Sequence, residues 1–304
     1  MSLPYFINKQ GLIICLIFFF SSAVYAEKLV VYTVNYPLQY FAQRIAGDFV
    51  SVHFPAPMKI DPAFWMPDAK TINQYQQADL ILLNGADYAK WVKKVSLPRT
   101  RMVNTSKGFK GKYISIKNTV NHQHGPGGEH SHAGIAFTTW LDFKQATEQA
   151  NAILNALIRK QPQYEQTFIE NFRALEKDLL GLDNQLSQII VKDPSKTFLA
   201  SHPIYQYFSR RYQLNLNELM WEPDEYPSQV EWAVLAQLLE QDSTKWMLWE
   251  DQPDSRTMKR LSELGLSIIV FKPCMNSPEQ GDFLSEMQAN IRNVVQALQE
   301  NENY

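Results

Sequence analysis

The chain has 304 residues and a formal net charge of −2 at pH 7, and 45% of its residues are hydrophobic and 20% are charged. The length suggests about two domains of ordinary globular composition. The near-neutral balance argues against a nucleic-acid-binding protein, which needs a basic face, and the presence of only two cysteines argues against a disulfide framework.

The first 26 residues have the pattern of a secretory signal peptide. Residues 12–20 form an apolar run, LIICLIFFF, and Ala26 ends a cleavage site. The run is too short for a membrane span, and Cys15 follows Ile14 instead of a small residue, which disfavours a lipoprotein anchor. We therefore predict a soluble protein that is exported to the periplasm and processed to residues 27–304.

Short β-rich runs alternate with helical patterns after the signal peptide, which favours βαβ units and parallel sheets. In the first half we predict strands at 29–34, 50–54 and 79–83, and helices at 38–46, 91–95 and 143–159. In the second half we predict strands at 197–200, 245–249 and 267–271, and helices at 204–211, 228–240, 256–264 and 283–298.

Residues 117–134 interrupt this alternation and contain four of the six histidines of the chain, His122, His124, His130 and His132. The glycines and the scarcity of apolar residues predict a mobile loop without secondary structure. Neutral imidazole is a good ligand for zinc, copper and nickel. The segment is therefore a candidate for metal contact, although ordering it would cost about 1–2 kcal/mol per residue. A solvated loop of chance composition is the alternative.

A single apolar stripe with spacings of three and four runs from Phe168 to Ile190. It predicts one helix of about 28 residues and about 42 Å. A coiled-coil strand is the alternative, but more α/β sequence follows. We therefore predict an α/β fold of two similar lobes joined by one long linking helix, with a ligand cleft between the lobes. The predicted parts are an N-terminal lobe (27–160), the linking helix (161–191) and a C-terminal lobe (192–304).

Two polar residues of the second half follow predicted strands. His202 comes after the strand at 197–200, and Glu250 comes after the strand at 245–249. Because the carboxyl ends of parallel strands line the ligand crevice of an open sheet, both residues are candidate ligands. A structural polar residue is the alternative for His202. No motif of a hydrolase or a phosphate-binding loop is present, and we expect no enzyme activity.

Four segments carry a resemblance to a known family. They read VVYTVNYPLQYFAQRIAGDFVSV, DPAFWMPDAKTINQYQQADLILLNGADYAKWVKK, QPQYEQTFIENFRALEKDLLGLD and LASHPIYQYFSRRYQL. In their order and spacing they resemble the zinc and manganese solute-binding proteins of bacterial ABC transporters, the zinc-uptake branch in particular. The resemblance implies two α/β lobes, a rigid linking helix, and a metal ion held in the cleft by three histidines and one carboxylate.

The resemblance places these four ligands at Ala63, Thr138, His202 and Lys272, which we call the four cleft positions. Only His202 is the expected residue type. A protonated lysine cannot ligate a divalent ion and repels it. A tetrahedral zinc site needs about four donors, and one histidine does not supply them.

Three explanations remain open. The protein could still carry zinc, with manganese or copper as alternative metals, by using His202, Glu250 and histidines of the loop. It could use the soft donors Met66, Met275 or Cys274 for copper(I). Or the cleft could hold a metal chelate or a small organic ligand, with Lys272 pairing an anionic group.

The function we predict is an extracytoplasmic solute-binding protein of a zinc-type ABC importer. It would be a monomer that delivers a metal ion to a permease in the inner membrane. The alternative is a paralogue that binds a chelate or organic ligand in a cleft that has lost its metal site, or acts as a periplasmic metal chaperone or adaptor.

Overall fold

The structure, a computed structural model, describes residues 28–116, 121–123, 129–131, 134–190, 196–221, 225–242 and 244–300. The predicted signal peptide, His124 and His132 lie outside these residues. Over the described part of the chain, no helix is both long enough and apolar enough to cross a membrane.

The N-terminal lobe is built on a parallel sheet with the strand order β2-β1-β3-β4. Its elements are β1 (Leu29–Thr33), α1 (Tyr36–Ala46), β2 (Val50–His53), α2 (Ala69–Gln77), β3 (Leu80–Leu83) and β4 (Met102–Asn104). Two short antiparallel pairs follow, β5 (Ser115–Ile116) with β8 (Gly134–Ile135) and β6 (Asn121–Gln123) with β7 (Glu129–Ser131), and α3 (Phe143–Lys160) covers the sheet.

The C-terminal lobe repeats this arrangement, with the parallel strand order β10-β9-β11-β12. Its elements are β9 (Thr197–Ala200), α5 (Gln206–Tyr212), β10 (Asn215–Glu218), α6 (Gln229–Gln241), β11 (Trp246–Trp249), α7 (Ser255–Glu263), β12 (Ser267–Val270) and α8 (Phe283–Glu300). In each lobe the first strand is internal and the second strand is at an edge. The two central strands β9 and β11 are buried along their whole length, as expected for a parallel sheet covered on both faces.

The long helix α4 (Glu165–Ile190) joins the lobes and spans about 39 Å at 1.5 Å per residue. The predicted apolar stripe is confirmed, because its leucines from Leu175 to Leu186 are buried. One face of α4 packs on α1 and α3, and it also contacts α5 and α8 of the other lobe. A single hydrophobic cluster therefore runs through both lobes and the linking helix.

Side-chain caps explain where several helices begin. Asn35 accepts a hydrogen bond from the backbone of Leu38 at the start of α1, and Asp142 caps α3 in the same way. At α6, Ser228 and Glu231 form a complete capping box. Such caps satisfy backbone N–H groups that have no partner within the helix.

Several predictions need correction. Residues 117–134 are not free of secondary structure, because β6 and β7 pair within them. The Gly-Pro-Gly-Gly sequence between these two short polar runs is a turn signal of the kind that joins the strands of a hairpin. The short helix predicted at 91–95 is a 3-10 helix at Lys90–Lys94. The helix after β9 begins at Gln206, because residues 202–204 form a turn in which the Ile204 amide donates to the His202 carbonyl.

Candidate metal site between the lobes

His202 lies directly after β9 and is 3% exposed. Strands β9 and β11 pair with Ala200 opposite Leu248, and the ladder continues with the Ser201 amide donating to the Leu248 carbonyl. The two candidate ligands of the C-terminal lobe therefore follow neighbouring strands at the carboxyl edge of one sheet, as the sequence predicts.

Thr138 lies in the N-terminal lobe and is 1% exposed. Its hydroxyl donates a hydrogen bond of 2.5 Å to the carbonyl oxygen of Ile204 in the other lobe. Tyr207 of the C-terminal lobe donates to the carbonyl of Ala136, 2.9 Å away. The second cleft position therefore contacts the turn that carries His202, through a threonine hydroxyl instead of an imidazole.

A buried amide network fixes the segment around Thr138. Asn84 follows β3, is fully buried, and donates to the carbonyl of Phe137 at 2.8 Å. The Asn84 side-chain oxygen accepts hydrogen bonds from Asn35, Thr139 and Gln149. Because every one of these partners is buried, the network holds the segment rigidly against the sheet.

Ala63, the first cleft position, is fully buried and has no side-chain donor atom. Its amide donates to the carboxylate of Asp61, and its carbonyl accepts from the amide of Lys90. The ring of the next residue, Phe64, packs edge-on against Phe137 at 6.1 Å. An apolar contact therefore occupies the first cleft position.

Lys272, the fourth cleft position, follows β12 and pairs with Asp251, with 2.9 Å between Nζ and Oδ1. The hydrogen bond to Asp251 is the largest influence on the lysine and raises its pKa. Asn290 holds the backbone of Lys272 by accepting from its amide and donating to its carbonyl. The ammonium is therefore charged at neutral pH and held beside the cleft.

Asp251 is a residue that sequence reasoning missed. It follows Glu250, and the β11–β12 register, with Trp249 opposite Val270, continues to bring Asp251 opposite Lys272. An acidic residue one place after a predicted ligand was visible in the sequence. Its pairing with the lysine depends on the strand register, which the sequence alone does not give.

Cys274 does not offer a ready thiolate for a soft metal. It is 7% exposed, and burial, followed by the charges of Glu286 and Asp282, raises the pKa of its thiol well above the usual range. The thiol therefore stays protonated at neutral pH, whereas the thiolate is the form that binds metals.

We expect Cys274 to resist alkylation in the folded protein. At about pH 8, iodoacetamide should modify it on the order of 100-fold more slowly than an exposed thiol, because the group is both buried and protonated. Intact mass spectrometry of the processed chain, before and after unfolding in concentrated urea, measures this. Rapid labelling of the folded chain would show that the thiol is accessible and reactive.

The loop histidines are partly described. His122 and His130 occupy directly opposite positions of the antiparallel pair β6–β7, which we call the His hairpin. His124 and His132 lie outside the described residues. Among the described residues, no three His, Cys, Asp or Glu side chains are close enough to hold a metal ion. The described cleft alone therefore does not supply a complete set of donors for a bare ion.

Two parallel sheets of matching strand order, one long connecting helix and a histidine at the cleft edge define a two-lobed metal-type solute-binding protein. A family model described as "ZnuA: Zinc-uptake complex component A periplasmic" matches residues 31–297. The chain belongs to this family, which confirms the resemblance inferred from the sequence.

Relatives with assigned activities are similar over most of the chain. PsaA of Streptococcus pneumoniae, named a manganese ABC transporter substrate-binding lipoprotein, is 26% identical over 298 residues and covers 91% of each chain. ZnuA of Bacillus subtilis, named a high-affinity zinc uptake system protein, is 27% identical over 249 residues, covering 79% of this chain and 76% of its own.

Solved structures support the fold. Zn(II)-bound AdcA of Streptococcus pneumoniae superposes with a TM-score of 0.77 at 21% identity, over 89% of this chain and 58% of that one. The metal-dependent lipoprotein YcdH of Bacillus subtilis gives a TM-score of 0.76 at 22% identity, over 89% and 99% of the two chains. The predicted two-lobed α/β architecture is therefore confirmed.

Proposed function

We propose that this chain is the extracytoplasmic solute-binding component of an ABC importer for metal ions and delivers its cargo to a permease in the inner membrane. The observation that carries the proposal is the placement of buried His202 and of Glu250 after the neighbouring strands β9 and β11, at the carboxyl edge of one sheet. Family membership and the activities named for PsaA and ZnuA support it. We assign it no covalent chemistry.

The metal ligands we propose are His202 and Glu250 of the cleft together with the four histidines His122, His124, His130 and His132. Zinc is the metal that fits this set best, because imidazoles dominate it, whereas manganese favours carboxylate and other oxygen ligands. Directly opposite positions in an antiparallel pair lie about 4.5–5.5 Å apart at Cβ. Pairing His122 with His130 therefore supports a shared ion on the hairpin.

We propose that the processed chain is a periplasmic monomer. PsaA is named as a lipoprotein. In this chain Cys15 lies inside the apolar run after Ile14, so cleavage at Ala26 would remove the cysteine. Mass spectrometry of the exported protein distinguishes the two forms, because a lipid anchor would add a large apolar mass at an N-terminal cysteine.

Zinc titration of the processed chain by calorimetry tests the proposed ligands. We expect a variant with His122, His124, His130 and His132 all changed to alanine to lose at least about tenfold in zinc affinity, because it loses most of the imidazole donors. Adding His202→Ala to this variant should weaken the zinc binding that it retains. His53→Ala is the matched control, since His53 is exposed at the end of β2 and stacks on Tyr32.

The control should bind zinc like the parent chain. Absence of zinc and manganese binding by the parent chain would refute metal delivery. Equal affinity in all variants would refute the ligand assignment while leaving metal binding itself intact.

The cation at the fourth cleft position favours a second candidate function. Lys272 is paired with the exposed carboxylate of Asp251, and an anionic group of a metal chelate or small organic ligand could replace that carboxylate. In that case Lys272→Met would abolish binding of the chelated metal but leave binding of the free ion unchanged. A periplasmic chaperone or adaptor without transport activity remains the alternative if no permease interaction is found.

A further inference from the structure

Two of the three altered cleft positions make direct contacts of their own. Thr138 reaches the turn after β9, and Lys272 pairs with the residue after Glu250. These are the places where the family resemblance implies ligands of one shared ion. The Thr138 contact connects the two lobes, whereas the pair of Lys272 with Asp251 lies within the C-terminal lobe.

The Thr138 contact crosses between the lobes at the retained histidine. Its acceptor, Ile204, lies two residues after His202 and in the same turn, because the Ile204 amide donates to the His202 carbonyl at 2.9 Å. Both Thr138 and His202 are almost fully buried. A metal ion joins two lobes by binding a side chain from each, and here a hydroxyl and a carbonyl make that link.

The segment after β12 provides the second half of the connection, from Lys272 to Asn276. The Pro273 carbonyl accepts from the indole of Trp140 at 2.8 Å, and the Met275 carbonyl accepts from the amide of Tyr36 at 3.1 Å. The Asn276 side chain donates to the carbonyl of Pro57 at 2.7 Å. We call these contacts, with that of Thr138, the seam.

Lys272 places its ammonium group beside the seam. Its ammonium pairs with Asp251, so the carboxylate that could have been a ligand is already neutralised. A divalent ion entering this place would meet Coulomb repulsion from the ammonium at short range.

We propose that in this chain the hydrogen bond from Thr138 to Ile204 and the contacts of residues 273–276 with the N-terminal lobe replace an interlobe metal ion, so that the lobes stay closed whether or not metal is bound. Metal binding and lobe closure are then uncoupled. The inference does not depend on zinc binding by the His hairpin, and it goes beyond the proposed function.

Hydrogen–deuterium exchange of the processed chain tests this directly. In the parent chain we expect the amides of residues 136–140 and 202–208 to exchange at the same rate, within about a factor of two, in zinc and in a chelator. Exchange at least about tenfold slower in zinc than in the chelator would overturn the proposal, because closure would then depend on the metal.

Thr138→Val removes the hydroxyl and keeps the shape of the side chain. We expect it to speed exchange at 202–208 at least about tenfold, equally with and without zinc. The matched control is Thr147→Val, because the Thr147 hydroxyl donates to the Phe143 carbonyl within α3 and crosses no seam. It should leave exchange at 202–208 unchanged. Unchanged exchange at 202–208 in Thr138→Val would overturn the proposal.

A variant in which the metal ligands of the cleft are restored should give the opposite result. Thr138→His combined with Lys272→Asp returns an imidazole and a carboxylate beside His202. We expect exchange at 202–208 in this variant to become zinc-dependent, fast in chelator and at least about tenfold slower in zinc. If the double variant does not fold, Thr138→His alone provides the test, because it removes the hydroxyl that links the lobes and adds an imidazole, so that its seam should loosen in chelator and respond to zinc more than that of the parent. If exchange at 202–208 in the folded variant does not depend on zinc, the proposal that protein contacts replace an interlobe metal ion is refuted.

These outcomes are separate from those of the calorimetric titration. A parent chain that binds no zinc refutes the proposed function, yet metal-independent closure would still hold. A parent chain that binds zinc and closes only with it refutes this inference and leaves the proposed function intact.

Discussion

Arg211→Met should lower the free energy of unfolding by about 3–5 kcal/mol, because it leaves a buried carboxylate without its charged partner. The guanidinium donates to both oxygens of Asp183 at 2.7 and 2.6 Å, and Asp183 is 2% exposed. The hydroxyl of Tyr212 adds a third contact at 3.1 Å. Removal of the arginine therefore leaves the buried Asp183 carboxylate without its opposite charge.

Urea unfolding followed by circular dichroism measures this loss. The matched control is Arg256→Met, whose pair with Asp254 at 3.0 Å is exposed, so its loss should change the stability much less. The double variant Arg211→Met with Asp183→Asn should recover part of the loss, because the buried charge is gone. If Arg211→Met and Arg256→Met lower the stability equally, Asp183 is solvated in solution.

This ion pair also matters for the site. Asp183 lies on the linking helix α4 and Arg211 on α5, the helix that follows the His202 turn. Arg211 is in addition 3.9 Å from Asp142, which caps α3 of the N-terminal lobe. One arginine thus joins both lobes to the linking helix, and its loss should also disturb the position of the turn that carries His202.

The lobes and the linking helix were predictable because their signals are strong and local. The stripe along α4 and the fully apolar strands LVVYT and WMLW each identify one kind of element. Three elements had weaker signals. Helix α2 buries only Tyr75, β4 has three residues, and β10 reads NLNE at a sheet edge. Short or polar elements owe their structure to neighbouring strands rather than to their own pattern.

The candidate site was predictable only in part. The family resemblance placed candidate positions at Ala63, Thr138, His202 and Lys272, and the rule about strand ends suggested Glu250. The partners of these residues were not predictable. Ile204 is 66 residues from Thr138, and the contact of Lys272 with Asp251 requires the register of β11 and β12. A substituted ligand position looks like a simple loss in sequence, whereas the structure shows what the new side chain binds.

Gly85→Ala should be among the most damaging small substitutions in the chain, with a loss of about 3 kcal/mol or more in unfolding free energy. Gly85 has φ +76, and an alanine Cβ would lie 2.1 Å from the Ser106 hydroxyl and 2.3 Å from the Asn104 side-chain oxygen. The left-handed conformation costs about 1–2 kcal/mol for any other residue, and the overlap with the side chains of Ser106 and Asn104 adds about 1–3 kcal/mol. Both neighbours are held by other bonds and cannot move freely, since the Ser106 hydroxyl also donates to the Asn84 carbonyl at 2.6 Å.

Gly85 also opens a turn of three successive left-handed residues, because Ala86 and Asp87 follow with φ values of 47 and 61. This turn begins directly after Asn84, which holds the segment that carries Thr138. Gly85→Ala should therefore loosen the cleft as well as destabilise the fold. Gly181→Ala is the matched control: Gly181 lies inside α4 with nothing within 4 Å of a new Cβ, and removing a helical glycine should stabilise the protein by about 0.5–1 kcal/mol. Urea unfolding of both variants measures the contrast, and a neutral Gly85→Ala would mean that the turn after β3 rearranges at little cost.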